Sequence, residues 1–143
     1  MVVLIDANVI LDYITSREPY YRESYKIIDL CYSGKVKGYI AFHSVSIIWY
    51  TLRRYIPDKS ERRKWLKNIL SIIEVTGVNH NDVLRALDME EFDDFEDCLQ
   101  DRCAENVSAN YIITNNVKDY RESVVEAITP EDYLKEIIGN TSV

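Results

Sequence analysis

The sequence predicts an α/β fold, a three-layer sandwich with a short, mainly parallel central sheet flanked by helices. Short β-branched apolar runs alternate along the chain with segments of helical periodicity. Only four Gly and three Pro occur, which leaves few turns for an all-β sandwich. The length of 143 residues corresponds to a single domain over 1–143, long enough to bury a core without disulfides.

The first part of the chain contains two predicted strands separated by a helix. Val2–Ile5 is a continuous apolar run that stops at Asp6, as in a strand buried on both faces. Residues 20–32 carry aromatic and aliphatic side chains at spacings of three and four, which predicts a helix, and Gly34 supplies its left-handed cap. Lys37–Ala41 is the second predicted strand.

Two helices and a strand are predicted next. Ser44 is the predicted N-cap of a helix that runs to about Tyr55. Pro57-Asp58 begins another helix, which runs to about Leu70, and Ile72–Val75 has the pattern of a strand.

The remaining elements continue the alternation of helices and strands. Helices are predicted to begin after Asn79 or Asn81, near Asp94, and at Thr129-Pro130. Strands are predicted at Tyr111–Ile113 and, from a weaker pattern, at Val124–Ile128.

Charge and cysteine content exclude several classes of protein. The net charge of −7 argues against a protein that coats duplex DNA, whose affinity depends on neutralising phosphates. Residues 53–67 nevertheless hold seven basic side chains against two acidic ones, and residues 82–105 hold ten acids against two bases. Three cysteines without CxxC spacing exclude a zinc ribbon and predict buried thiols in a reducing cytosol. The sequence has no signal peptide pattern and no 18-residue apolar stretch, so a cytoplasmic protein without a membrane span is expected.

Asp6 and the stretch 114–119 stand out because each begins where an apolar strand stops. Ligands of parallel α/β sheets bind beyond the carboxyl ends of the strands, so both are candidates for a binding site. A Gly-rich turn after the first strand is missing, which excludes a dinucleotide-binding domain. A phosphoacceptor receiver domain is disfavoured because Asp6 has no acidic neighbour and no Asp follows Ile72–Val75.

The helix that starts near Asp94 adds a third polar cluster. Acids in a first helical turn are explained by the helix dipole. Asp97 and Asp101 lie deeper in the helix, where like charges three or four residues apart repel by roughly a few tenths of a kcal/mol. A divalent cation would reverse that penalty, and oxygen ligands without His or Cys suit Mg²⁺ or Mn²⁺.

The order of these clusters resembles the PIN domain family. The motifs are Asp-x-Asn at 6–8, Phe-Glu-Asp-x-Leu-Gln at 95–100 and Thr-x-Asn-x-x-Asp-Tyr at 114–120. With the junction at 41–44, the resemblance spans nearly the whole chain. The family includes the ribonuclease toxins of VapBC-type toxin–antitoxin pairs.

The resemblance implies an endoribonuclease that cleaves RNA phosphodiesters with Mg²⁺ or Mn²⁺ held by carboxylates. Asp6, Asp97 and Asp119 match the family acids and are expected to be the catalytic and metal-binding residues. The expected supporting residues are Asn8, Ser44, Asp94, Thr114 and Asn116.

The expected partners follow from the basic segment and from the aromatic content. Single-stranded or structured RNA is expected to contact Arg53, Arg54, Arg62 and Arg63, although a merely solvated basic face is the alternative. Tyrosines in residues 20–32 and the aromatic side chains of residues 49–55 exceed what one small core hides. A homodimer, or a complex with an antitoxin protein, is therefore expected.

One position departs from the family pattern. The family commonly has a Glu about three residues after the Ser of the third helix, and this chain has Ile47 there. Asp94 and Glu96 are the candidates to replace that acid. The alternative function is a catalytically inactive PIN-like module that binds RNA or protein.

Overall fold

The computed structural model describes residues 1–141, which contain five strands, seven α-helices and one 3₁₀ helix. The strands are β1 (Val2–Ile5), β2 (Lys37–Ala41), β3 (Glu74–Thr76), β4 (Tyr111–Ile113) and β5 (Ala127–Ile128). The helices are α1 (Ala7–Thr15), α2 (Tyr21–Tyr32), α3 (Phe42–Leu52), α4 (Lys59–Ile72), α5 (His80–Asp88), α6 (Phe95–Asn106) and α7 (Pro130–Thr141), and the 3₁₀ helix spans Val117–Tyr120.

The strands form one sheet in the order β3-β2-β1-β4-β5, and every pairing is parallel. Helices cover both faces of this sheet. Val3 and Ile5 of β1 pack into a core shared with α1–α4 and α7, whereas Leu4 packs on the other face with Cys103 and Ala104 of α6. The alternation follows from the period of two in a strand, and it confirms the predicted three-layer α/β fold.

Most predicted element boundaries agree with the structure. β1, β2 and β4 have the predicted limits, Asp58 caps α4 by accepting from the Ser60 amide at 2.9 Å, and Gly34 has a φ of 78°. Asn79, rather than Asn81, caps α5 in a reciprocal capping box with Asp82.

The prediction for the third helix was wrong at both ends. α3 begins at Phe42 and ends at Leu52, so Ser44 lies inside the helix and does not cap it. The two edge strands also differ, since β3 starts two residues later than predicted and β5 has only two residues. Strands at the edge of a sheet have one neighbour, so their extent depends on pairing that the local pattern does not encode.

The three cysteines are free and buried, as predicted. Burial raises the pKa of the Cys31 and Cys103 thiols to about 11, which keeps both protonated and inert at neutral pH. Within the part of the chain that the structure describes, the helices are all too short or too polar to cross a membrane.

Candidate functional site

Asp6 lies at the carboxyl end of β1, where it leads directly into α1. Its backbone amide donates to the carbonyl oxygen of Ile113 at 2.9 Å, which extends the β1–β4 pairing by one step. Asp6 is the N-cap of α1, but its side chain makes no capping hydrogen bond. The carboxylate is therefore free to take part in a site beyond the sheet edge.

Two polar side chains hold the Asp6 carboxylate. The Thr114 hydroxyl, buried just after β4, donates to Asp6 Oδ2 at 2.8 Å, and the Asn8 amide donates to the same oxygen at 3.2 Å. Burial raises the pKa of Asp6, and the Thr114 hydrogen bond opposes that rise. The structure thus brings together Asp6, Asn8 and Thr114 by way of two adjacent strands.

The loop after β4 is tied to α1 by further hydrogen bonds. The backbone amide of Asn116 donates to Thr114 Oγ1 at 3.1 Å, and the backbone amide of Asn115 donates to Asn8 Oδ1 at 3.3 Å. The Asn115 side chain donates to Asp12 Oδ2 at 2.7 Å, and Asp12 is 1% exposed. Asp12 was not among the predicted site residues, and it fixes the loop that carries Thr114 and Asn116.

The start of α6 presents Asp97 to the same region. Asp94 caps the helix by accepting from the amides of Glu96 at 2.8 Å and Asp97 at 3.3 Å. The hydroxyl of the buried Tyr120 donates to Asp97 Oδ1 at 3.2 Å. Asp94 therefore serves the helix N-terminus, whereas the Asp97 carboxylate faces the 3₁₀ helix.

The pKa of the Asp97 carboxyl group is raised well above its ordinary value. Burial, together with the nearby carboxylates of Asp94, Asp6 and Asp119, raises its pKa to about 6, and the Tyr120 hydrogen bond opposes the rise. No ion pair within residues 1–141 includes Asp6, Asp97 or Asp119. No basic side chain among the described residues is therefore within ion-pair distance of these acids, although Lys118 and Arg121 line the cavity that Asp97 and Asp119 share.

Two cavities meet at Asp97. An inner cavity of about 230 Å³ is lined by Asp6, Asn8, Asn116 and Asp97. An outer cavity of about 410 Å³ is lined by Asp119, Asp94 and again Asp97. Asp6 lines the inner cavity and Asp119 lines the outer one, so these two acids do not share a cavity. Asp97 lines both cavities.

The inner cavity is also lined by Ser44, one of the predicted supporting residues, and by Gln100 and His43, which sequence reasoning left out of the predicted site. Ser44 is 2% exposed, and its hydroxyl donates to Gln100 Oε1 at 3.3 Å, whereas Gln100 Nε2 is buried without a hydrogen-bond partner among residues 1–141. His43 lines the same cavity, where burial lowers its pKa against the attraction of Glu96 and Asp6. The motif around Gln100 and the junction at 41–44 carried the only sequence signal for these residues.

Glu96 lies close to the position that departs from the family pattern. Both Glu96 and Ile47 line the inner cavity together with Asp6 and Asp97. The Glu96 carboxylate is near enough to Asp6 to raise the pKa of Asp6. Asp94 lines only the outer cavity and is engaged as a cap, so of the two candidates Glu96 is the one placed beside Ile47.

Asp101 is separate from this cluster, contrary to the expectation that it repels Asp97. It is fully buried, pairs with Arg102 at 2.7 Å, and accepts from the amides of Val124 at 2.9 Å and Val125 at 3.0 Å. Its negative charge is thereby compensated, and its role is to anchor the segment that leads into β5.

The four basic residues predicted to contact RNA differ in exposure. Arg53, Arg54 and Arg63 are exposed, but Arg62 is only 4% exposed. The Arg62 guanidinium lies 4.4 Å from the centre of the Trp49 ring. Three of the four are thus exposed cations, although the Arg63 guanidinium also lies 5.5 Å from the centre of the Trp49 ring, and the fourth forms part of the packing between α3 and α4.

The carboxylate and amide oxygens at this site are the ligand atoms that a hard divalent cation prefers. The carboxylates also repel one another when no cation is present. No group of three or more His, Cys, Asp or Glu side chains within residues 1–141 is arranged to hold a metal ion as it stands. Binding would therefore require the carboxylates around Asp97 to turn toward a shared point.

Comparisons with known proteins identify a family through one family model and a shared fold through several solved structures. A family model described as PIN domain matches residues 2–118. Similar solved structures include VapBC2 from Rickettsia felis bound to a DNA fragment from their promoter, with a TM-score of 0.70, 15% identity, and coverage of 90% of this chain and 98% of that chain. VapC20 from Mycobacterium tuberculosis, described as a Sarcin-Ricin loop cleaving toxin, has a TM-score of 0.60 and 12% identity, and the match covers 77% of this chain and 86% of that chain. PAE2754 from Pyrobaculum aerophilum has a TM-score of 0.61 and 17% identity, with 96% and 95% covered. No curated protein sequence matches the chain significantly.

Proposed function

The chain belongs to the PIN domain family, and from that premise we propose that it is a metal-dependent endoribonuclease that cuts RNA at the edge of the sheet where Asp6 and Asp97 lie. PIN domains are generally nucleases and typically use divalent metal ions. The observation that carries the proposal is the position of Asp97 between two cavities, with its pKa raised to about 6 partly by Asp6 and Asp119.

In this proposal Asp6, Asp97 and Asp119 hold Mg²⁺ or Mn²⁺, and Glu96 supplies the acid that Ile47 does not. A bound divalent ion would activate a water molecule and offset charge on the phosphate during in-line attack. Thr114 and Asn8 orient the Asp6 carboxylate through the hydrogen bonds at 2.8 and 3.2 Å. The supporting residues thus act by fixing a ligand in place.

Ser44, Asn116 and Gln100 line the inner cavity beside these acids. The unpartnered Nε2 of Gln100 is a donor that a phosphate oxygen can satisfy. Asp94 contributes indirectly, because its cap on α6 fixes the first turn that carries Glu96 and Asp97.

We further propose a role as the toxin of a toxin–antitoxin pair, in the cytoplasm. The similarity in fold to VapBC2 and to the toxin VapC20 supports this role. An antitoxin protein, or a second copy of the chain, would cover exposed tyrosines on or beside α2, namely Tyr20, Tyr25 and Tyr32.

Cleavage of total RNA in Mn²⁺, in Mg²⁺ and in chelator tests the proposal. The wild type is expected to cut RNA only with metal, and Asp97→Asn is expected to abolish cutting. Asp88→Asn, an exposed acid at the end of α5, is the matched control and should cut like the wild type. Metal-independent cutting, or full activity of Asp97→Asn, would contradict the proposed site.

The second candidate is an inactive binding module, which the apolar Ile47 in the inner cavity favours. The two functions differ in their response to Mn²⁺ without RNA. A working site gains thermal stability from the ion by mass action, whereas a module that has lost its site does not.

A further inference from the structure

The exposed face of α3 carries two aromatic rings in line with a basic side chain. Phe42, Ser46, Tyr50 and Arg53 follow one another at spacings of four, four and three residues, so they share one side of the helix axis. Phe42 is 72% exposed and Tyr50 is 64% exposed. Rings this exposed present flat apolar faces on which another planar group can stack.

α3 lines two cavities: one side of the helix lines the inner acidic cavity, and the neighbouring side, which carries Tyr50, lines a second, basic cavity. His43, Ser44 and Ile47 line the acidic cavity. Tyr50 and Arg53, about one turn further along the helix, line a cavity of about 540 Å³. With a rise of about 1.5 Å per residue, Phe42 and Tyr50 stand roughly 12 Å apart along the helix.

The basic cavity lies between α3 and the start of α4, and Lys59 and Arg62 form its α4 side. Arg62 packs against the face of Trp49, and the only hydrogen bond of its guanidinium within the described residues is a long one, 3.5 Å, to the carbonyl oxygen of Pro57. Its Nε is buried with no partner in that part of the chain. Arg53, Lys59 and Arg62 are also outside every ion pair of residues 1–141.

A guanidinium that is almost fully buried and makes one weak hydrogen bond lacks the acceptors it normally has. An anion in this cavity would supply them, and the Trp49 ring, 4.4 Å from the guanidinium, already restricts where that group can lie. Arg binds phosphate well in this way because its N–H groups form a rigid fork.

We propose that the α3 face and the basic cavity form a path for single-stranded RNA, with bases stacked on Phe42 and Tyr50 and a phosphate bound by Arg53, Lys59 and Arg62. This inference rests on the proposed function, because the path would lead the RNA strand to the acidic cavity where cleavage is proposed. Aromatic rings beside a cationic groove are the common means of holding single strands without sequence preference. A duplex could not use the two rings, since its bases are already stacked.

Charge favours RNA over a second copy of the chain on this face. In a two-fold interface the same patch meets itself, and no acid lines the basic cavity to pair with Arg53, Lys59 or Arg62 of a second copy. An RNA strand brings one negative charge per nucleotide to the same cations.

Binding of a fluorescent twelve-residue oligouridine in chelator tests the path without cleavage. Phe42→Ala and Tyr50→Ala are each expected to weaken binding by about tenfold. The double variant Arg53→Gln/Lys59→Gln should weaken binding and lower the slope of log affinity against log salt by about 0.7 for each phosphate that the protein no longer neutralises. Arg62→Lys, which keeps the charge but loses the fork, should also weaken binding, with circular dichroism to verify its fold.

Matched controls lie on and just beyond the exposed surface of α2. Tyr32→Ala removes an aromatic ring that is 75% exposed, and Lys26→Gln/Lys35→Gln removes two exposed cations. Both controls are expected to bind like the wild type. Equal losses in the controls and in the α3 variants would overturn the path, because they would indicate only a general effect of charge or of exposed rings.

Three other results would overturn the path in favour of a different occupant. These are equal binding of the oligouridine annealed to its complement, equally strong competition by an octaglutamate peptide, and conversion of a dimer to a monomer by Tyr50→Ala in light scattering. If the wild type cuts RNA with Mn²⁺ but Phe42→Ala and Tyr50→Ala bind normally, the path is wrong and the proposed function stands. If the wild type neither binds nor cuts RNA, both fail.

Discussion

Asp97→Asn is expected to stabilise the metal-free protein at neutral pH while removing its response to metal. Asn has the same shape as Asp, and its Oδ1 can still accept the Tyr120 hydrogen bond that Asp97 receives at 3.2 Å. The substitution therefore removes a charge that burial and neighbouring carboxylates disfavour, and little else.

The size of the effect follows from the shift in pKa. The pKa of Asp97 rises from 3.8 to about 6, and each unit corresponds to about 1.4 kcal/mol, so the upper limit is about 3 kcal/mol. Asp97 is only half-buried, so screening by solvent reduces this to about 1–2 kcal/mol. That range corresponds to a rise of roughly 4–8 °C in Tm for a chain of this size.

The sign fixes the pH window. A carboxyl group whose pKa is raised by folding contributes stability below its unfolded pKa, and that contribution is lost as pH rises through the folded pKa. The difference between Asp97→Asn and the wild type should therefore be close to zero near pH 3, grow between pH 4 and pH 6, and be complete above about pH 6.5.

Thermal melts in chelator across this pH range measure the difference, and melts at neutral pH with Mn²⁺ measure the metal response. Mn²⁺ at about 100 times its Kd should stabilise the wild type by about 2.7 kcal/mol and the variant by much less. Asp101→Asn is the control on the same helix. It breaks a buried pair with Arg102 and should cost about 3–5 kcal/mol, with no link to metal.

A stabilising role for ionised Asp97 would give the opposite pattern. If Asp97→Asn melts below the wild type in chelator at neutral pH and keeps the full Mn²⁺ response, Asp97 is a structural acceptor, and the assignment of the metal site around it is wrong.

Two further substitutions examine the walls of the inner cavity. Ile47→Glu places a carboxylate where the family commonly has one. In chelator it should lower the free energy of unfolding by about 1–2 kcal/mol, and in calorimetry it should tighten Mn²⁺ binding. An unchanged Mn²⁺ affinity would place the ion elsewhere. Thr114→Val removes the hydroxyl that donates to Asp6 at 2.8 Å, so it should raise the pKa of Asp6 further. The cleavage rate should then fall more at pH 5 than at pH 8. An equal loss at both pH values would contradict this role of Thr114.

The fold was predictable wherever local sequence carried the determining interaction. Val2–Ile5 and Tyr111–Ile113 are buried on both faces of the sheet, so each appears as an uninterrupted apolar run with clear limits. Asp58 and Asn79 cap α4 and α5 through hydrogen bonds to amides two or three residues away. These interactions lie within one turn, and the sequence pattern contains them in full.

The start of α3 shows where local reasoning fails. Ser44 is among the best N-cap residues, and Ala41, the actual N-cap, has no side chain that can cap. The Ser44 hydroxyl instead donates to Gln100, 56 residues away in sequence. The Ser44 hydroxyl, which helix-capping preferences assign to the helix N-terminus, is thus engaged in a tertiary hydrogen bond. The sequence near residue 44 does not contain the partner of that bond.

Asp97 and Asp101 make the same point for the site. They lie four residues apart on one helix, and the sequence pattern places both beyond the reach of the helix dipole, which is wrong for Asp97 because the structure puts it in the first turn of α6. The structure separates them by what they face: Asp101 meets Arg102 and two backbone amides, and Asp97 meets the carboxylates of Asp6 and Asp119. A buried acid with its charge compensated stabilises a fold, whereas one held among other acids is destabilising until a cation arrives. The melting behaviour of the two Asn variants, opposite in sign on one helix, therefore tests the distinction on which the proposed metal site depends.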